Sequence, residues 1–129
     1  EKWLVLDVDH WAKRNHIASL KQVVQNAGKK GFQLALSNPC FECWLLLHFQ
    51  DIDGAKPVTL KSLESQLRKH TPGHSKSSLK AEFYSRSRVL DAIRRAEAMD
   101  SNPDEPWPSA AGTRVYRTVK SILTLGATA

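Results

Sequence analysis

Trp3-Leu4-Val5-Leu6-Asp7-Val8-Asp9 is a short apolar run that closes on two acids. That is the pattern of a buried strand in a parallel sheet, and it decides how the rest of the chain is read. Outward from it, residues 15–30 set Ile17, Leu20, Val23 or Val24 and Ala27 at helical spacing, with Gly28 and Gly31 bracketing the end as a helix C-terminus requires. Phe32-Gln33-Leu34-Ala35-Leu36-Ser37 then reads as a second strand. Strand, helix and strand in residues 3–37 predict a right-handed parallel crossover, and so an α/β fold.

Further along, Ser37-Asn38-Pro39 predicts a helix start, since Asn or Ser caps well and Pro suits a first turn with no N–H to satisfy. Cys40 to Phe49 continues as a nearly all-apolar helix, expected to be buried on most sides. Asp51 to Gly54 is a turn, and Thr59 to Leu67 an amphipathic helix with Leu60, Leu63 and Leu67 on one stripe. Thr71 to Ser78 is a polar loop. A helix from Ser85 or Ser87 to Met99 carries Val89, Ala92, Ile93 and Ala96 inward, a proline-rich loop with Trp107 spans 101–112, and a last helix runs from Thr113 to Leu125. We read 1–129 as a single domain, with residues 1–55 an α/β core and residues 56–129 a basic helical part.

The 129 residues suit one core, and 41% hydrophobic with 25% charged residues is a globular composition. Trp44-Leu45-Leu46-Leu47, among the longest apolar runs, is far short of the ~20 residues that span a bilayer. No signal-peptide pattern opens the chain, and two cysteines make no disulfide framework, so a cytoplasmic location without membrane attachment is expected. The chain begins Glu1-Lys2-Trp3 and its only Met is Met99, which reads as a processed chain or a fragment. Its net charge of +6 is uneven. Residues 1–55 are neutral, residues 56–95 hold ten Lys/Arg against three Asp/Glu, and residues 96–129 hold three against four. Clustered cations are what a phosphate-binding face needs; a solvated, soluble face is the other reading.

Asp7 and Asp9 are the sharpest chemical feature. On a strand, residues two apart share a face, so both carboxylates would converge at the carboxyl end of the strand, where α/β sheets bind ligands. Such a pair is best tolerated around a hard cation, Mg²⁺ (or Mn²⁺), held by one or two carboxylates and substrate phosphates. The alternative is an acidic strand end that helps cap the next helix. Ser37 and Asn38, at the end of the neighbouring strand, are expected to support those ligands. Glu42 reads as a third ligand or a supporting acid, or only as a helix-start acid favoured by the dipole. His10 reads as a general base or phosphate contact, or as a plain loop histidine. Cys40 and Cys43 fit the CxxC spelling, but zinc needs a second pair, so they read as core residues. Lys76, Lys80, Arg86 and Arg88, with Phe83 and Tyr84 among them, form the best stripe for nucleic acid, the aromatics stacking bases while the cations track phosphates.

At Ser37-Asn38-Pro39-Cys40-Phe41-Glu42, followed by Trp44-Leu45-Leu46-Leu47-His48-Phe49, the chain resembles the RloB-like family. It resembles it again at Leu6-Asp7-Val8-Asp9-His10, Ala92-Ile93-Arg94-Arg95-Ala96 and Thr113-Arg114-Val115-Tyr116. Cys43 stands where that pattern is expected to hold an aliphatic residue. The resemblance implies a prokaryotic protein of restriction–modification loci, related to the abortive-infection component AbiLii and often accompanied by an AAA-type ATPase. It also implies a Toprim-like sheet, in which a Glu on an early strand and a DxD on a later one hold Mg²⁺. Asp7 and Asp9 match the DxD. The Glu-bearing segment, of the form EG-x-x-T-E, has no counterpart here, so the chain is expected to be a member without its first strand and helix.

The expectation is therefore a Mg²⁺-dependent Toprim-type nuclease, acting on DNA or RNA (tRNA included) in phage defence with a partner ATPase. The alternatives are a non-catalytic subunit that binds nucleic acid or the ATPase, and a haloacid-dehalogenase-like phosphatase suggested by Leu4-Val5-Leu6-Asp7-Val8-Asp9. Homo-oligomers are compatible with each reading.

Overall fold

The computed structural model describes the chain except Arg14, Lys76, Ser77 and Ala129, and no side chain beyond Thr124. Strand β1 is Trp3–Asp7 and β2 is Gln33–Asn38. They pair in parallel, from Trp3 against Gln33 to Asp7 against Ser37. Between them run α1, Val8–Ala12, and α2, Ile17–Lys29. Helix α2 buries Leu20 and Ala27, and Leu20 packs with Val8 and Leu36 in a small core that Trp11, Ile17, Val24 and Trp107 cover. Gly31, at φ +80°, makes the left-handed turn that returns the chain to the sheet, a conformation a side chain would resist. The expected α/β crossover is present.

The first strand is shorter than its apolar run suggested. It ends at Asp7, still extended at φ −95° and ψ 125°, and Val8 opens α1. Val8 turns inward to 5% exposure, and the Asp9 N–H donates to the Pro39 carbonyl at 2.9 Å. Acids at a helix start suit its dipole, so the two-acid ending favours the turn as much as the strand. Asp7 and Asp9 accordingly do not share a strand face.

Helix α3 is Glu42–Leu47, shorter at both ends than the predicted 40–49. Ser37 and Asn38 belong to β2 rather than to a cap, the Asn38–Pro39 peptide bond is cis, and Phe41 occupies the N-cap without a side-chain bond. Every residue of α3 is buried, as the all-apolar pattern requires. Around it pack α4, Leu60–His70, and α5, Arg86–Met99, with α6, Val115–Thr128, against α5 and β2. Leu63 and Leu67 of α4 are fully buried against α3, and fully buried Ala92 and Ala96 let α5 approach closely. Burying each such leucine contributes about 2 kcal/mol. Thr59 caps α4 in a reciprocal box with Ser62.

A two-residue strand not foreseen in the sequence, β3 (Gly112–Thr113), pairs antiparallel with the end of β2, giving the order β1-β2-β3. The loop before it is irregular but tied. Arg114, 2% exposed, donates to the Asp100 carboxylate at 3.3 Å, to the Asn102 carbonyl at 2.7 Å and to the Glu105 carbonyl. Tyr116 Oη donates to the same Asp100 at 2.6 Å.

Candidate functional site

Asp7 stands at the carboxyl end of a parallel strand, the position where α/β sheets present ligand-binding groups. Its Oδ1 accepts the Phe41 backbone N–H at 2.9 Å, which ties the end of β1 to the turn before α3. Asp7 lines an open depression of about 610 Å³ with His10, Trp11, Phe41 and the β1 residues Val5 and Leu6. His10 is exposed on α1, with its ring edge-on to Trp11 at 6.0 Å. The structure therefore brings Asp7 and His10 to one surface. Trp11 and the Phe41 backbone donor complete that wall and were not anticipated. A backbone N–H leaves no mark on residue identity, and Trp11 sat in a stretch without periodicity.

Asp9 is placed differently. It lies in the first turn of α1 and pairs with Lys13 at 3.1 Å, the i,i+4 geometry of a helix face. The predicted convergence of both carboxylates on a strand face is overturned by the start of α1 at Val8.

Glu42, 4% exposed, sits in the first turn of α3 beside Cys40 and Cys43. Both cysteines are free and buried. Burial pushes the Cys40 thiol far above its ordinary range, and a hydrogen bond with Glu42 adds to the effect. Burial likewise pushes the Cys43 thiol up to about 12, with the negative charges of Glu42 and Asp7 acting in the same direction. The two acids thus lie within charge range of one thiol. Neither cysteine is a nucleophile at neutral pH, in keeping with the core reading. Among the described residues, no group of three or more His, Cys, Asp or Glu side chains lies close enough to hold a metal ion.

Ser37 and Asn38 are occupied elsewhere. Ser37 Oγ shares a buried 2.7 Å hydrogen bond with Thr113 Oγ1, and Asn38 Nδ2 donates to the Pro108 carbonyl at 2.9 Å. They fasten the proline-rich loop and β3 to the strand end beside Asp7.

Of the cationic stripe, Lys80 and Arg86 are exposed and Lys76 lies outside the described residues. The Arg88 guanidinium lies 4.7 Å over the ring of Phe49, whose plane is also stacked by His70 at 4.9 Å. Tyr84 is not the open stacking surface expected of it. Its ring is half-buried, edge-on to His48 at 5.0 Å and to Phe49 at 5.6 Å, because its apolar area is taken up by the helical core. Several cations of residues 56–95 serve the fold instead: Arg95 donates to the Leu47 carbonyl at 2.8 Å, capping α3, and Arg68 pairs with Glu64 at 3.0 Å.

No helix among the described residues is long and apolar enough to cross a membrane. No curated protein and no solved structure matches the chain. The sequence model of the RloB-like protein family matches residues 1–122, nearly the whole length, and covers the Asp7 strand, the α3 block and the Arg114 segment together. The chain belongs to the RloB-like protein family.

Proposed function

We propose that this chain carries the acidic centre of a Mg²⁺-dependent nuclease of the Toprim type, acting in prokaryotic phage defence beside an AAA-type ATPase. The observation that carries the reading is the position of Asp7: a carboxylate at the carboxyl end of a parallel strand, in an open depression that it shares with an exposed histidine. The donor set fits Mg²⁺ in its open mode of binding, in which one or two carboxylates hold the ion and waters and substrate phosphates complete it. It does not make a closed cage, since Asp9 faces Lys13. When bound, such an ion supplies charge for the developing oxyanion and a more acidic water. Asp7 would hold it, with Asp9 joining once a competing phosphate draws Lys13 away. His10, exposed at the rim, would take or give a proton at its ring nitrogens. Lys80, Arg86 and Arg88 would hold the backbone of DNA or RNA electrostatically.

A second reading is a non-catalytic subunit that binds nucleic acid or the ATPase. The Asp9–Lys13 pair and the cationic middle of the chain favour it. One assay separates the two. The intact gene product is incubated with Mg²⁺ or Mn²⁺ and a panel of DNA, tRNA and other RNA, with the ATPase present and absent. Metal-dependent cleavage is expected. Salt-sensitive binding without cleavage in every arm would select the binding subunit.

A further inference from the structure

Thr71-Pro72-Gly73-His74 closes the end of α4 tightly. The Thr71 N–H and its hydroxyl both donate to the Leu67 carbonyl, at 2.9 and 3.0 Å, and the His74 N–H donates to the Thr71 carbonyl at 3.0 Å. Gly73, at φ +79°, makes the turn that only glycine takes without strain. The result is a loop histidine folded inward to 9% exposure. Facing it is the short 3₁₀ turn Ala81–Phe83, followed by Tyr84. Between the two lies a cavity of about 10 Å³, walled by Thr71, His74, Ser78, Lys80, Phe83 and Tyr84. That is room for one group the size of a water molecule.

His74 Nε2 and Tyr84 Oη are both buried, and neither has a hydrogen-bond partner among the described residues. One orphaned polar atom in a core is costly, and two on residues that wall one cavity point to a shared partner. Burial raises the Tyr84 phenol above its ordinary range, so it stays protonated and able to donate. An imidazole N–H is a donor as well, and Lys80 adds a cation. No acid is among the described residues that wall the cavity. A phenol, an imidazole nitrogen that donates in its Nε2–H form and a lysine around a space for one oxygen suit an anion.

We infer that this cavity recognises phosphate: one phosphate oxygen enters between His74 Nε2 and Tyr84 Oη, and the Lys80 ammonium neutralises the rest of the group at the mouth. Arg86 and Arg88, which open α5 directly after Tyr84, would take the adjoining phosphates of a chain. This assignment rests on the reading of the middle third as a phosphate-binding face and names its most buried contact. A nucleic-acid backbone and a free phosphate or nucleotide offer the same chemistry.

The test uses Tyr84→Phe, which removes only the unpaired hydroxyl, with His74→Gln and Lys80→Gln beside it. Thermal unfolding is followed against inorganic phosphate at constant ionic strength, and fluorescence anisotropy against a single-stranded oligonucleotide. The expected result is a saturable rise in the melting temperature of the wild-type protein with phosphate. Tyr84→Phe is expected to be no less stable than wild type without phosphate, and to bind it at least roughly tenfold more weakly. Weaker oligonucleotide binding by the same variant would identify a backbone phosphate as the ligand. Phosphate binding with no oligonucleotide binding by the wild type would keep the pocket for a free phosphate and remove the nucleic-acid reading. Oligonucleotide binding equal in wild type and Tyr84→Phe, with no effect of phosphate, would overturn the pocket and leave that reading intact. A Tyr84→Phe protein that only loses stability, with an unchanged phosphate response, would also overturn it and make the cavity a place for water.

Discussion

Asp7 holds a structural bond and, in the proposed function, the charge of the site. The two can be separated because Asn keeps an oxygen that accepts from the Phe41 N–H, at 2.9 Å in the native protein, while removing the negative charge. Asp7→Asn should therefore lower cleavage by about 100-fold or more with little change in melting temperature, whereas Asp7→Ala should also cost ~1–3 kcal/mol by leaving that N–H unmet. Activity and thermal unfolding measured on both variants check this. His48 gives a pH signature. Burial holds its imidazole below the ordinary 6.5, and its Nδ1–H donates to the Trp44 carbonyl at 2.9 Å. The folded state keeps His48 neutral, so its contribution to stability is complete above pH 6.5 and is lost as pH falls below it, where the unfolded chain takes the proton first. Urea titrations from pH 7 to pH 5 should show falling stability, with a shallower fall in His48→Gln. Residue identity announced Asp7 but misplaced Asp9, because two acids satisfy the end of a strand and the start of a helix equally well.

At the scale of elements, the β1–α2–β2 unit, α4 and α5 were all legible from their apolar patterns, whereas the Thr59 cap of α4 emerged only in the structure. Helix α3 was overextended because an all-apolar run gives no periodic clue to where it frays. Strand β3 was illegible for another reason: two residues, Gly112 and Thr113, carry no period, and their place is set by Ser37, Asn38 and a buried arginine. Arg114 had shown itself only through a family-like pattern, yet it organises the loop from Asp100 to β3. Its side chain and that of Asp100 are 3% and 4% exposed. Removing one partner of a buried pair leaves the other charged and desolvated, so Arg114→Ala should cost ~3–5 kcal/mol. Arg114→Lys should recover little, since an ammonium cannot reach the Asp100 carboxylate and two backbone carbonyls together. Chemical denaturation of the two variants tests both statements.

Over the whole molecule, charge and acidity are segregated. The acids near the sheet end sit in the neutral stretch 1–55, and the cationic excess lies in residues 56–95. That division was visible in the sequence. Which cations are spent on the fold, as Arg68 and Arg95 are, was not, because pairing depends on which helix faces which. If Lys80 and Arg86 hold backbone phosphates, the logarithm of the nucleic-acid binding constant should fall linearly with the logarithm of salt concentration. Each substitution, Lys80→Gln or Arg86→Gln, should reduce that slope by about 0.7–0.9, while Arg68→Gln should leave it unchanged. In the proposed function the end of β1 holds a divalent cation through Asp7. The most direct measurement is a Mn²⁺ titration of the intact protein followed by electron paramagnetic resonance, beside Asp7→Asn. A bound ion is expected in the wild-type protein, with an affinity at least roughly tenfold weaker in the variant. Equal Mn²⁺ binding by the two proteins, or none by either in the presence of nucleic acid, would contradict it.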